Sequence, residues 1–184
     1  MYPWFTNWLI IAIIVVMIII FIARVNKMII LSNRIANLQA QIEVQLTKKT
    51  ELISELVKTV KGYMKHEQYV FEKITNAIGK LYSASTLNER ISANEEIEEA
   101  LGVLGRVIIR YPELKANENF KLLQEEISNT ENKIAYARQF YNDAVLEYNN
   151  TISTIPGNLL AKILRKTPKK YLEPEKKEVE IDFT

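Results

Sequence analysis

The chain has no cysteine and one histidine in 184 residues. Without a thiol there can be no disulfide, thiolate metal site or cysteine nucleophile. With His66 alone, a symmetric di-iron bundle site is excluded, because it needs an E-x-x-H from each of two helices. The pair His66-Glu67 also fails as a zincin motif, since Val70 stands where the second histidine belongs. Breakers are scarce as well: Gly 5 and Pro 5, with no proline between Trp4 and Tyr111. That argues for long helices rather than sheet. Neither a glycine-rich phosphate loop nor a G-x-S-x-G elbow is present, and Gly102 and Gly105 lie inside a helical pattern. The formal net charge is only +2, spread over mixed-sign faces, which is a solvated surface and not a nucleic-acid footprint.

Against these absences stands one long apolar run, WLIIAIIVVMIIIFIA at 8–23. It holds no charge and no hydrogen-bonding side chain after Trp8. As a helix it measures about 24 Å, slightly short of a hydrocarbon core of about 30 Å. Trp4, Phe5 and Trp8 supply an interfacial aromatic belt, Ile14 and Ile19 sit within the apolar stretch, and Arg24 and Lys27 can snorkel to head groups. Residues 1–24 are therefore expected to be a retained membrane anchor (Trp4, Trp8, Ile14, Ile19, Arg24). A cleaved signal would carry basic residues before the run and a small-x-small site after it. Because the first basic residues follow the run, the positive-inside rule predicts a single-pass membrane protein, its amino terminus outside and its body cytoplasmic.

Apolar residues then recur at helical spacing. Ile35, Leu38, Ile42, Leu46, Ile53, Leu56, Val60 and Tyr63 form one stripe, predicting that the anchor continues as the same helix to about Lys61, with Gly62 the first weak point. Tyr69 or Val70, Ile74, Ala77, Ile78 and Leu81 predict a second helix that fades at 83–86. Ile97, Leu101, Leu104 and Ile108 predict a third, starting near Asn88 or Ser92 and ended by Tyr111-Pro112. Its Glu95, Glu96, Glu98 and Glu99 are expected in the first turns, complementing the helix dipole. A fourth helix, capped by Asn117, carries a heptad stripe from Phe120 through Ile127, Ile134, Tyr141 and Tyr148 to Ile155, and Pro156-Gly157 stops it.

The segments 24–61 and 117–154 are equal in length, about 57 Å of helix each, and the two middle helices are near half that. The expected fold is all-α: an N-terminal transmembrane helix continuing into an antiparallel four-helix bundle with long first and fourth helices, over 25–157. A three-helix rival lets the first helix run through Gly62 to about Ser83. In 158–172 Leu159, Leu160, Ile163 and Leu164 are flanked by Lys162, Arg165, Lys166, Lys169 and Lys170. This basic amphipathic segment is expected to touch an anionic membrane surface, or else to cover the bundle's end. Residues 173–184 read as a flexible tail.

Two stretches are specific: IEVQLTKKTELISELVKTVKGYMKHE at 42–67 and YPELKANENFKLLQEEISNTENKIAYARQFYNDAVLEYNNTISTIPGNLLA at 111–161. Together with the anchor, they closely resemble the bacterial LemA family. One departure is Ser54, where the family usually has proline, so an unkinked first helix is expected here. The resemblance implies a membrane-anchored cytoplasmic helical bundle. It brings no assigned activity and no catalytic residues; members tied to magnetosome membranes suggest a membrane-organising role.

The function expected from all this is a non-enzymatic, membrane-anchored scaffold or adaptor. Its expected partners are the lipid bilayer and either copies of itself or another membrane protein, with no nucleic acid and no cofactor. The alternative is a sensor or small-ligand-binding bundle with a cavity lined by Tyr141, Tyr148 and Tyr63. A hydrolase with an unrecognised site, drawing on serines, His66 and Asp143 or Asp182, ranks last.

Overall fold

The computed structural model describes residues 3–172, and of residues 3–6 only the backbone. The tail at 173–184 lies outside the described residues. The described residues are all helix and loop, with no strand, and form six helices in the order α1 Pro3–Lys61, α2 Gln68–Ser83, α3 Leu87–Ile108, α4 Pro112–Ala116, α5 Glu118–Ser153 and α6 Gly157–Ile163. They fall into two compact units. One holds α1 up to Leu38 together with Gln139–Tyr171; the other spans Gln39–Arg138.

α1 runs unbroken for 59 residues, about 88 Å. It ends where glycine was expected to end it. The Tyr63 and Met64 amides both return to the Val60 carbonyl, at 2.9 and 3.0 Å, and Lys58 and Lys61 place positive charge in the last turn. The three-helix rival is thereby overturned: the chain leaves the helix at Gly62 and re-enters one at Gln68.

In the unit Gln39–Arg138 the stripe Ile42, Leu46, Ile53, Leu56 and Val60 is buried, as are Val70, Phe71, Ile74, Ala77 and Leu81 of α2. Tyr69 instead faces solvent. α2 and α3 pair as a hairpin, tied by Lys73–Glu99 and Lys80–Glu96 at 2.6 Å each. Lys48 of α1 pairs with Glu126 of α5 (3.2 Å), and Tyr63, just past α1, accepts from Asn117, just ahead of α5 (3.2 Å).

α3 starts beside Asn88, the earlier of its two expected starts, and not at Ser92. α3 begins at Leu87 because Thr86 and Glu89 make a capping box: the Glu89 amide donates to Thr86 Oγ1 and the Thr86 amide to Glu89 Oε2, both at 3.2 Å. This early start moves Glu95–Glu99 to the middle of the helix. They do not complement its dipole; Glu96, Glu98 and Glu99 instead pair with lysines of other helices. Pro112 likewise opens a helix instead of closing one. α3 ends at Ile108, and Pro112, whose missing N–H costs nothing in a first turn, starts the short α4 that buries Leu114. α5 is capped as expected, the Phe120 amide donating to Asn117 Oδ1 at 2.9 Å.

In the other unit, Met28, Leu31, Ile35 and Leu38 of α1 are buried, along with Ala144, Val145, Tyr148 and Ile152 of α5 and Leu160 and Ala161 of α6. Lys27 bridges to Glu147 at 2.9 Å. Gly157 is required at the α5–α6 junction. A Cβ there would lie 2.0 Å from the Thr151 carbonyl oxygen and 3.5 Å from the Met28 side chain.

Candidate functional site

The first part of α1 departs most from an ordinary helix of a water-soluble domain. Its large apolar side chains from Trp8 to Ile22 are 41–69% exposed, none of them packed into a core. Leaving such side chains in water forgoes about 1.5–3 kcal/mol each. This is one helix long and apolar enough to cross a membrane. Trp8, Ile14 and Ile19 are exposed on it and Arg24 is partly buried; of Trp4 only the helical backbone is described.

Beside this segment lies α6. It is helical for only seven residues, so the expected amphipathic stretch is divided. Lys162 belongs to the helix, whereas Arg165, Lys166, Lys169 and Lys170 follow it, and all five are exposed. The helix closes in a Schellman geometry: the Lys166 amide donates to Ala161 O (2.9 Å) and the Arg165 amide to Lys162 O (3.3 Å). Arg165 occupies the left-handed position with φ 49°, where glycine would be less strained. The chain then lies along α5. Asn149 clamps the backbone of Lys169, donating to its carbonyl and accepting from its amide, both at 2.9 Å, and the Tyr141 hydroxyl donates to Lys170 O at 3.4 Å. Leu160 is buried, while Leu159 and Ile163 remain 61% and 72% exposed. An open groove of about 720 Å³ separates α6 from Met17, Ile20 and Phe21 of α1, with Arg24 its one charged lining residue.

The second cluster was not anticipated. Lys49, on α1, is 1% exposed. Its ammonium group donates to Asn94 Oδ1 on α3 at 2.8 Å, and to the carboxylates of Glu98 on α3 and Glu131 on α5. Asn94 in turn donates to Glu131 Oε2 at 3.3 Å. Thr50 and Thr130 are buried too, each returning its hydroxyl hydrogen to its own helix. This polar layer stands beside a cleft of about 240 Å³ that Glu98 and Glu131 share with Leu56, Leu104 and Ile127. The sequence carried a signal. Lys49 falls at core spacing between Leu46 and Ile53, so a charge interrupts the apolar seam.

Of the three tyrosines expected to line a cavity, Tyr141 and Tyr148 are packed inside and burial raises the pKa of both. Tyr63, in the unit Gln39–Arg138, is partly exposed and accepts a hydrogen bond from Asn117. His66 is exposed, and no group of three or more acidic, histidine or cysteine side chains suited to a metal occurs among the described residues.

The fold and these features define a class: an all-helical body led by one long apolar helix. The sequence profile of the LemA family matches residues 38–183, and the chain belongs to that family. It is 24% identical over 146 residues to Protein LemA of Metamycoplasma hominis, covering 79% of this chain and 67% of that relative. The profile match starts after the apolar run and continues past the Pro156-Gly157-Asn158 segment, so the family signature resides in the helical body.

Proposed function

We propose that the protein is a non-enzymatic scaffold or adaptor, held in the bacterial cell membrane by a single span and presenting an antiparallel four-helix bundle at the cytoplasmic face. The observation that carries this reading is the continuity of α1. The helix that exposes the apolar run from Trp8 to Ile22 is also the helix that supplies Lys48 and Lys49 to the ion pairs of the body. A membrane satisfies the first part and the bundle the second.

The absence of basic residues before the run, against Arg24, Lys27 and Arg34 after it, supports an amino terminus outside and a cytoplasmic body. Exposed Val44, Leu122 and Tyr136 support contact with a further copy or with a membrane-protein partner. The exposed Leu159 and Ile163, with the five basic side chains around them, support a second contact with an anionic bilayer surface. The cleft beside Lys49 favours a second reading, a bundle that senses a small ligand, because it combines apolar walls with fixed polar groups.

The test is twofold. Alkaline carbonate washing of membranes should leave the full chain in the pellet, and Ile14→Lys with Ile19→Lys should release it, each charge costing about 2.5–3.5 kcal/mol at mid-span. Crosslinking in intact cells, read by mass spectrometry, should then recover a second copy or a membrane protein. Substrate turnover that is lost on mutating a compact polar cluster would overturn the non-enzymatic reading.

A further inference from the structure

Arg24 makes no hydrogen bond or ion pair among the described residues, although it is partly buried and its guanidinium carries five donors. The next cation along α1, Lys27, is already satisfied by Glu147. Arg24 also stands at one end of the groove between α1 and α6, whose other walls are apolar: Met17, Ile20 and Phe21 on one side, Leu159 and Ile163 on the other. An occupant must therefore be apolar along most of its length and anionic at one end.

We propose that this groove holds one anionic phospholipid, an acyl chain lying between α1 and α6 and the phosphate paired with Arg24. The inference rests on the anchor reading, because α1 delivers the groove into the bilayer, where an acyl chain can enter sideways without crossing water. Planar, bidentate guanidinium donors suit a phosphate better than a compact ammonium does. The exposure of Leu159 (61%) and Ile163 (72%) is then the open side of a lipid site, with Lys162 and Arg165 neighbouring it in the chain to favour negative head groups. Ala23, a groove-lining residue, leaves room that a larger side chain would fill.

The full chain, reconstituted in nanodiscs of equal parts phosphatidylcholine and phosphatidylglycerol and released for native mass spectrometry, should retain one phosphatidylglycerol in preference to phosphatidylcholine. Arg24→Gln should weaken phosphatidylglycerol retention about tenfold or more, the loss of one charge-assisted hydrogen-bonded contact, and weaken phosphatidylcholine less, because its choline already offsets the phosphate charge. Ala23→Trp, which fills the groove, should abolish retention of both. Leu159→Gln, at an exposed position where folding is not at risk, should weaken both. Lys27→Gln should leave the preference intact. Equal retention of the two lipids by the unaltered chain, or indifference to Arg24→Gln, overturns the proposal. If carbonate leaves the chain in the membrane but no lipid is retained, the groove inference fails alone. If carbonate extracts the chain, the anchor reading fails and this inference falls with it.

Discussion

Replacing Lys49 by alanine tests whether the polar layer holds α1, α3 and α5 in register. The wild-type ammonium group is buried and serves Asn94, Glu98 and Glu131 together. Deleting it leaves Asn94, itself buried, without a donor for its carbonyl oxygen, and leaves Glu131 partly buried without its cation. Glu98, with a side chain 40% exposed, can turn to water. Breaking a buried pair from one side costs about 3–5 kcal/mol. For a chain of this size that lowers Tm by about 6–20 °C. Lys49→Met keeps the volume and most of the packing but leaves the same Asn94 acceptor and Glu131 carboxylate without their cation, so its loss should fall below that of Lys49→Ala only by the packing retained, at about 3 kcal/mol. Adding Asn94→Leu and Glu131→Gln to Lys49→Met should recover most of the remainder, because a charge-free layer of similar shape carries no desolvation penalty. The assay is thermal unfolding of the full chain in detergent, followed by helical circular dichroism. A Lys49→Ala shift under about 2 °C would place the lysine among surface ion pairs, which contribute about 0–1 kcal/mol, and would refute the argument.

Gly157→Ala should destabilise by about 1–3 kcal/mol, since the new methyl meets the Thr151 carbonyl, whereas Gly79→Ala, with nothing within 4 Å, should stabilise α2 by about 1 kcal/mol; thermal melts of the two variants check the contrast. The Glu89 carboxyl is held below its ordinary value by the Ser85 and Thr86 amides, so its contribution is present above about pH 4.5 and is lost as pH falls through the lowered value. Glu89→Gln should therefore flatten that part of the acid limb of a stability–pH profile. Asn149→Ala removes both hydrogen bonds to Lys169, and trypsin should then cut at Arg165–Lys170 several-fold faster.

The elements most legible in the sequence were those whose signal was long and uninterrupted. Fifteen consecutive residues without a polar side chain after Trp8 marked the apolar helix, and stripes at three- and four-residue steps marked α1 through Lys61, α2 and α5. Local hydrogen bonding was harder to read. The Thr86–Glu89 capping box selected the earlier start of α3 over Ser92 and so changed the role of Glu95–Glu99, and Pro112 served as a helix start because its fixed φ suits a first turn as well as a stop. The Lys49 layer was visible only as a charge at core spacing. Its partners, Asn94, Glu98 and Glu131, are 45 to 82 residues away in sequence, and no local pattern links them. The division of the basic segment at Ile163 depends on the left-handed turn at Arg165, which nothing in the residue type announces.

The absence of native cysteine gives a clean background for locating the apolar run and the body relative to the bilayer. Single cysteines at Ile14 and at Asn76, offered a membrane-impermeant maleimide, report the two places directly. The cysteine at Ile14 should stay unlabelled before and after the cells are opened, and the one at Asn76 should react only after opening. Labelling at Asn76 in intact cells would put the body outside, and ready labelling at Ile14 in sealed membranes would show that the run does not lie in lipid.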